Sequence, residues 1–382
     1  MALLIKNAHV FAPEDLGVVD VLMVAEQIVA VGPDLSSNLP NTEVIDAKGM
    51  IMTPGFFDQH IHVTGGGGEG GPKTRTPELV LSELVECGTT SIVGLSGTDF
   101  ITRSMSNLLA KVRALQSEGV SAWMYTSNYH FPSFTLTDSV ANDLFMIPEV
   151  LGVKIALGDH RCSFPTTQEV LHLLTDIRVA GMLSGKTGFL HIHTGSIPNS
   201  AFDIYDEIVD RGFPIQHIRP THCCRIRHVF DRAIEFARKG GWIDITTGAS
   251  CCFENPALAI MEALDSGIDP THVTISSDGH GSVPRFNEQG VMVGLGVGGV
   301  ACNLKEIKRM ICDYNVPIEK ALPVITKNVG LALGLPNQGV IKEGACANAL
   351  LFDDNFNLSY VVARNKVMMR NSEIVLKGTF EY

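Results

Sequence analysis

The chain has 382 residues, with 29 Lys+Arg against 41 Asp+Glu and a formal net charge of −12. That acidic balance argues against nucleic acid or an anionic membrane as main partner, since both select clustered cations, and it leaves a small anionic ligand open. Hydrophobic residues make up 45% and charged residues 18%, too apolar for a disordered chain. No apolar run approaches the roughly 18 residues of a membrane span. Nine cysteines without framework spacing fit a reducing compartment. The first residues are too short and too alternating for a signal peptide, so a cytoplasmic protein is expected.

In chain order, β-branched runs at 3–10, 19–24 and 27–31 predict short strands, with breaks at 13–17 and 32–33. The C-terminal stretch resembles them at 349–352, 358–364, 366–369 and 374–377. The two ends, 1–53 and 335–382, are therefore expected to pair into one small β domain, with boundaries marked by Gly49, Pro54 and Gly55 and by Gly334 to Pro336 or Gly339. Between them, 54–334 alternates apolar strand-like runs with helical periodicity. The candidate strands are 55–62, 90–95, 122–127, 153–158, 189–194, 218–222, 242–247 and 273–278. Helical spacing is clearest at 77–86, 108–118, 229–238 and 256–265. Eight β-α units, each of about 30 residues, predict an α/β fold built as a (β/α)₈ barrel rather than an open sheet.

Catalytic groups in such a barrel sit at the C-terminal ends of the strands. The first candidate strand ends Asp58-Gln59-His60-Ile61-His62, where residues two apart face the same side and can share a metal. The fifth carries His191-Ile192-His193. His193 lies nearer the rim and is the better ligand, whereas His191 reads as a satisfied core histidine. The sixth ends Pro220-Thr221-His222 and the eighth Ser276-Ser277-Asp278-Gly279-His280. Four imidazoles and one carboxylate at strand ends could serve two metals if a bridging anion is supplied. Lys154 sits in the apolar run Val153-Lys154-Ile155-Ala156-Leu157. Burial there depresses its pKa, and a neutral amine reacts with carbon dioxide to give a two-oxygen carbamate.

These segments resemble the amidohydrolase superfamily, and within it the isoaspartyl (β-aspartyl) dipeptidases. The likeness covers nearly the whole chain. It is carried by Pro54-Gly55-Phe56-Phe57-Asp58-Gln59-His60-Ile61-His62, Gly65-Gly66-Gly67-Gly68-Glu69-Gly70-Gly71-Pro72, Gly158-Asp159-His160-Arg161 and Ser276-Ser277-Asp278-Gly279-His280-Gly281-Ser282. The glycine-rich loop with Glu69 is the subfamily signal. The resemblance implies a barrel flanked by a small β-sandwich and hydrolysis of β-aspartyl dipeptides by a metal-activated hydroxide. It implies two divalent metals, zinc first among them, with His60, His62 and Asp278 on one, His193 and His222 on the other, and carboxylated Lys154 between them. Asp278 would move the proton, and Tyr129 would donate to the carbonyl oxygen. Glu69 suits the substrate ammonium, Arg161 and Arg225 suit its carboxylates, and Gly67, Thr98 and Ser282 would line the pocket. A homo-oligomer, an octamer by resemblance, is also implied.

The alternatives are hydrolysis of a cyclic amide or an N-acyl amino acid, and a non-catalytic barrel relative without metals. Cys223-Cys224 and Cys251-Cys252 depart from the subfamily pattern. Adjacent pairs suit a Cys₄ zinc site poorly, so they read as inert thiols. Residues 294–299 match G-x-G-x-x-G, but no acidic residue ends a second strand about 20 residues on, so a loop-to-helix connection is expected there. No serine lies in a G-x-S-x-G setting, which argues against a serine hydrolase.

Overall fold

The computed structural model describes residues 2–286 and 292–382. Met1 and residues 287–291, which fall within the two predicted divisions, lie outside the described residues. The strands of the middle region are Phe56–Ile61, Thr89–Gly94, Ser121–Thr126, Val150–Leu157, Leu190–Thr194, Ile218–Thr221, Ile243–Thr246 and Val273–Ser276. Almost every position in them is buried because both faces are covered, and polar side chains are interspersed with apolar ones in several, as in Phe56–Ile61, Leu190–Thr194 and Ile243–Thr246. The first six pair in parallel in sequence order, and the last two pair with each other. Backbone bonds at the strand ends join the two arcs. Cys223 N–H donates to the Asp244 carbonyl at 3.1 Å, Asp278 N–H to the His60 carbonyl at 3.1 Å, and His62 N–H to the Gly279 carbonyl at 2.9 Å. The last strand's exit is thereby laced to the first strand's exit, which brings residues near 60 and 278 together.

Helices occur where periodicity predicted them, at Leu81–Glu86, Met105–Glu118, Arg227–Arg238 and Pro256–Asp265. The first starts at 81 rather than 77. The Glu83 carboxylate accepts from Val80 N–H at 3.0 Å, and the Pro77 carbonyl is bonded to His280 Nδ1 at 2.9 Å, so the preceding turn is spent on the rim. Val140–Met146, Thr167–Ser184 and Phe202–Asp210 are further helices not anticipated. Thr167–Ser184 carries a readable signal, a Thr166/Glu169 capping box.

Strands from both termini join one nine-stranded sheet. Ile51–Pro54 is the link: it runs parallel to Ala2–Phe11 and antiparallel to Ala349–Phe352. Leu3, Ile5, Val21, Met23, Met52 and Leu351 form its buried core. Thr42–Asp46 and Ile51–Pro54 were not among the predicted strands, and the predicted 374–377 shrinks to Glu373–Ile374. Residues 294–299 do not form a loop-to-helix connection. Met292–Val297 pairs antiparallel with Ser282–Phe286 as a hairpin beyond the eighth barrel strand.

Gly158 (φ 67°) turns the chain at the exit of the fourth barrel strand. A Cβ at Gly195, past the fifth strand, would overlap the Gly158 carbonyl. These two exits therefore approach at backbone distance. Gly195→Ala is expected to destabilise the protein by about 1–3 kcal/mol, read as a lower urea midpoint at unchanged m-value.

Candidate active site

The predicted ligands converge. One ring nitrogen each from His60 and His222 and a carboxylate oxygen of Asp278 lie within 4.8 Å of one another. Asp278 Oδ1 is 3.3 Å from His60 Nε2 and 3.1 Å from His62 Nε2. His193 adjoins them, its ring centroid 4.6 Å from that of His222. His222 and Asp278 both follow a strand end in the left-handed region, at φ 63° and 55°. For non-glycine residues that conformation costs on the order of 1–3 kcal/mol each, and it persists where surrounding structure enforces it. Here it turns the imidazole and the carboxylate inward.

Neighbouring side chains fix the rings. His60 Nδ1 is bonded to His191 Nε2 at 2.9 Å, and His222 Nδ1 to Thr246 Oγ1 at 2.7 Å. His191 is thus a satisfied core histidine with a specific task, orienting His60. His222 Nε2 and Lys154 Nζ are buried without a hydrogen-bond partner among the described residues, as is His62 Nδ1, whose ring meets Asp278 through Nε2 instead. Lys154 is fully buried. Desolvation, with Arg225 adding to it against Asp278 and Asp244, pushes its amine down to about 7. Burial, with Lys154 adding to it, pushes His60 down to about 3. Burial works to raise Asp278, but His222, His60 and His62 outweigh it and hold the carboxyl well below its usual range. The imidazoles of His60, His193 and His222, kept neutral by burial, together with the ionised Asp278 carboxylate make a donor set that suits divalent cations.

Above the cluster opens a cavity of about 390 Å³. Every predicted substrate residue lines it: Gly67, Glu69, Thr98, Tyr129, Arg161, Arg225 and Ser282. His62, His193 and Asp278 reach its wall, while Lys154, His60 and His222 lie beneath. Glu69 Oε1 accepts from Arg161 Nη1 at 2.9 Å and from Ser282 Oγ at 2.9 Å. The Tyr129 hydroxyl is 2.6 Å from His193 Nδ1, and burial holds its phenol protonated well above the usual range. Ile226, Ala249 and Val283 add an apolar stretch of wall that sequence reading did not assign.

Asp159 was also missed. It was visible only as part of a motif, yet its carboxylate grips both Arg161 and His193. Deeper in the barrel, buried Asp244 accepts from Gln59, Thr221, Thr274 and Ser276, which no local spacing announces. The paired cysteines build no metal cage. Cys223 Sγ donates to the Pro220 carbonyl and Cys224 Sγ to the Thr246 carbonyl, and no cysteine joins a metal-type cluster among the described residues.

The family profile described as the amidohydrolase family matches residues 51–376. The chain belongs to the amidohydrolase family. Members of this family are generally metal-dependent, in keeping with the His60, His222 and Asp278 cluster. This amidohydrolase is 39% identical to the β-aspartyl dipeptidase of the keratin-degrading thermophile Fervidobacterium islandicum AW-1, solved in complex with β-Asp-Leu. The match covers 98% of each chain at a TM-score of 0.91. It is also 36% identical to the dihydroorotase of Aquifex aeolicus over an alignment 443 positions long, gaps included, covering 100% of this chain and 97% of that protein. Shorter matches to the dihydroorotase of Solibacter usitatus and to adenine deaminase 1 of Desulfotalea psychrophila span 18% and 23% of those proteins. The TIM-barrel-like architecture is that of the family. Among the described residues no helix of this amidohydrolase is long and apolar enough to cross a membrane.

Proposed function

We propose that this chain is a binuclear metal-dependent hydrolase of β-aspartyl (isoaspartyl) dipeptides. One observation carries the reading: an ion pair of Glu69 and Arg161, 2.9 Å apart, roofs the same cavity whose floor is the His-Asp cluster. An isoaspartyl residue bears an ammonium and a carboxylate on one carbon, and its side-chain carbonyl forms the scissile amide. A paired anion and cation beside the reacting centre complement that zwitterionic head. Arg225 then serves the second carboxylate, on the leaving residue.

His60, His62, His193, His222, Asp278 and carboxylated Lys154 would hold the metals, zinc in this reading. Two divalent cations bound there lower the pKa of water and polarise the scissile carbonyl. Asp278 accepts the proton of the attacking water and returns it to the departing amine. Tyr129, kept protonated by burial, donates to the carbonyl oxygen as charge develops on it. Glu69 and Arg161 exchange their mutual contact for the substrate's ammonium and carboxylate, which holds the amide over the cluster. We further propose a division into a barrel of residues 54–334 and a small β-sandwich of residues 1–53 and 335–382, in a cytoplasmic homo-oligomer, an octamer by resemblance.

The rival reading, hydrolysis of a cyclic amide such as dihydroorotate, needs a carboxylate grip and no partner for an ammonium. Metal-loaded protein assayed against β-Asp-Leu, α-Asp-Leu, dihydroorotate and hydantoin should turn over β-Asp-Leu in strong preference to the others. Preferred turnover of dihydroorotate would overturn the dipeptide assignment. Asp278→Asn should lower kcat by about 10²–10⁴-fold, the usual size of a general acid–base contribution, with KM nearly unchanged. A kcat within a few-fold of the parent would remove Asp278 from the proton path.

A further inference from the structure

We propose that Asp159 is a positioning residue that decides which nitrogen His193 presents to the metals and, through the same carboxylate, where Arg161 holds its guanidinium. The inference rests on the binuclear reading given above. Asp159 is 6% exposed and sits at the turn just past the fourth barrel strand. The tight approach of Gly158 and Gly195 brings this turn against the exit of the fifth strand, which carries His193.

Four polar contacts converge on the Asp159 carboxylate from these two residues. Oδ1 accepts from Arg161 N–H and Nε at 2.9 Å each, and Oδ2 accepts from Arg161 Nη2 at 2.8 Å. Oδ2 also lies 2.8 Å from His193 Nε2. The exposed His160 Nδ1 is 3.4 Å away. The guanidinium is therefore held by a two-pronged fork, the geometry that fixes its plane as well as its place. An ionised carboxylate only accepts hydrogen bonds, so Nε2 of His193 carries the hydrogen. Its lone pair is then on Nδ1, where it accepts from the Tyr129 hydroxyl at 2.6 Å.

Arg225 Nη1 also lies 3.2 Å from His193 Nε2. A protonated nitrogen cannot accept from it, and the shorter, charge-assisted contact to Asp159 prevails. Nδ1 is thus the His193 nitrogen available to a metal, and taking that role releases the Tyr129 hydroxyl for the substrate carbonyl. A carboxylate behind a ligating histidine orients the ring and raises its basicity, and losing such a partner commonly costs 10–100-fold in metal affinity. Asp159 differs from an ordinary partner of this kind because its other contacts set a substrate-binding arginine. Metal occupancy and substrate grip are linked through one side chain.

The test compares Asp159→Asn, which is nearly isosteric, Asp159→Ala, and Arg161→Met as a control, each checked for parental thermal unfolding. Zinc affinity is measured by chelator competition, the His193 tautomer by NMR of metal-free protein labelled with ¹⁵N-histidine, and KM and kcat on β-Asp-Leu. Both Asp159 variants should bind the more weakly held zinc about 10–100-fold less tightly, lose the single Nε2–H tautomer and raise KM. Arg161→Met should raise KM while keeping parental zinc affinity and tautomer. If the parent takes up two zinc ions and the Asp159 variants hold both as tightly with an unchanged tautomer, the inference fails and the binuclear reading stands. If the parent takes up no zinc, both fail.

Discussion

Glu69→Gln is expected to lower kcat/KM on β-Asp-Leu by roughly 30- to 1,000-fold while leaving metal content and thermal stability at parental values. The range corresponds to about 2–4 kcal/mol, the usual consequence of removing one partner from a hydrogen-bonded charge pair that is shut off from solvent, a state that Glu69, solvent-accessible in the free protein, would reach once substrate covers it. Glutamine keeps the size and the contact to Ser282 Oγ, so the change isolates the charge. Arg161 does not collapse when its partner is neutralised, because Asp159 still holds it through Nε and Nη2. The loss should appear chiefly in KM if the ammonium contact is made equally in ground and transition states. It should appear in kcat as well if that contact is used to place the amide over the cluster. A substrate without the ammonium, succinyl-leucine, gives the decisive comparison: the parent should handle it as poorly as the variant handles β-Asp-Leu, and the variant should lose nothing further on it. Parental turnover of β-Asp-Leu by Glu69→Gln would contradict the assignment of the head group.

How far this site could be read from the chain depends on the range over which each contact is encoded. The shared placement of His60 and His62 was legible because a two-residue spacing on a strand fixes a shared face locally, and that of the other candidate ligands His193, His222 and Asp278 because each lies at or just past the end of a strand-like run. Lys154 was legible because a cation inside such a run must be desolvated, a cost that singles it out against its neighbours. Asp159 was not, since its importance arises from the contact of Gly158 with Gly195, an approach between two turns that neither segment encodes alone. The Asp244 network was hidden for the same reason: Gln59 meets Asp244 across 185 residues. The hairpin of Ser282–Phe286 with Met292–Val297 was misjudged because glycines at 294, 296 and 298 suit a loop as well as a strand whose partner is supplied from outside the pattern. Likewise Ile51–Pro54, a short run beside a proline, becomes a strand only because both chain ends flank it. The fold's middle strands were clear, since each keeps short β-branched or aromatic apolar positions bounded by turn residues, even where buried polar side chains such as Asp58, His191 and Asp244 alternate with them.

Lys154→Met is expected to move stability and activity in opposite directions. The amine is buried without a hydrogen-bond partner among the described residues and is held at about 7 chiefly by desolvation. An ordinary lysine titrates near 10.4. Between about pH 7 and 10 the unfolded chain therefore holds a proton that the folded, metal-free protein does not, so parental stability rises with pH through that window by at most about 1.4 kcal/mol per unit. Methionine has similar length and no charge to desolvate, which removes both the burden and the pH dependence. Metal-free Lys154→Met should exceed the metal-free parent by about 1–3 kcal/mol near pH 7, and the gap should narrow as pH rises towards 10. The same substitution removes the one amine that, among the described residues, lies in the cluster and could be carboxylated. It should abolish uptake of the metal pair and lower kcat/KM by about 10³-fold or more, equivalent to several kcal/mol of lost transition-state stabilisation. Urea unfolding of both metal-free proteins across pH, with metal analysis and dipeptide turnover after zinc loading, checks all three parts. In the parent, zinc loading should also weaken as pH falls below about 7, where the amine is protonated and cannot take up carbon dioxide. A destabilised Lys154→Met that still binds two metals would mean that the lysine's place in the barrel is structural.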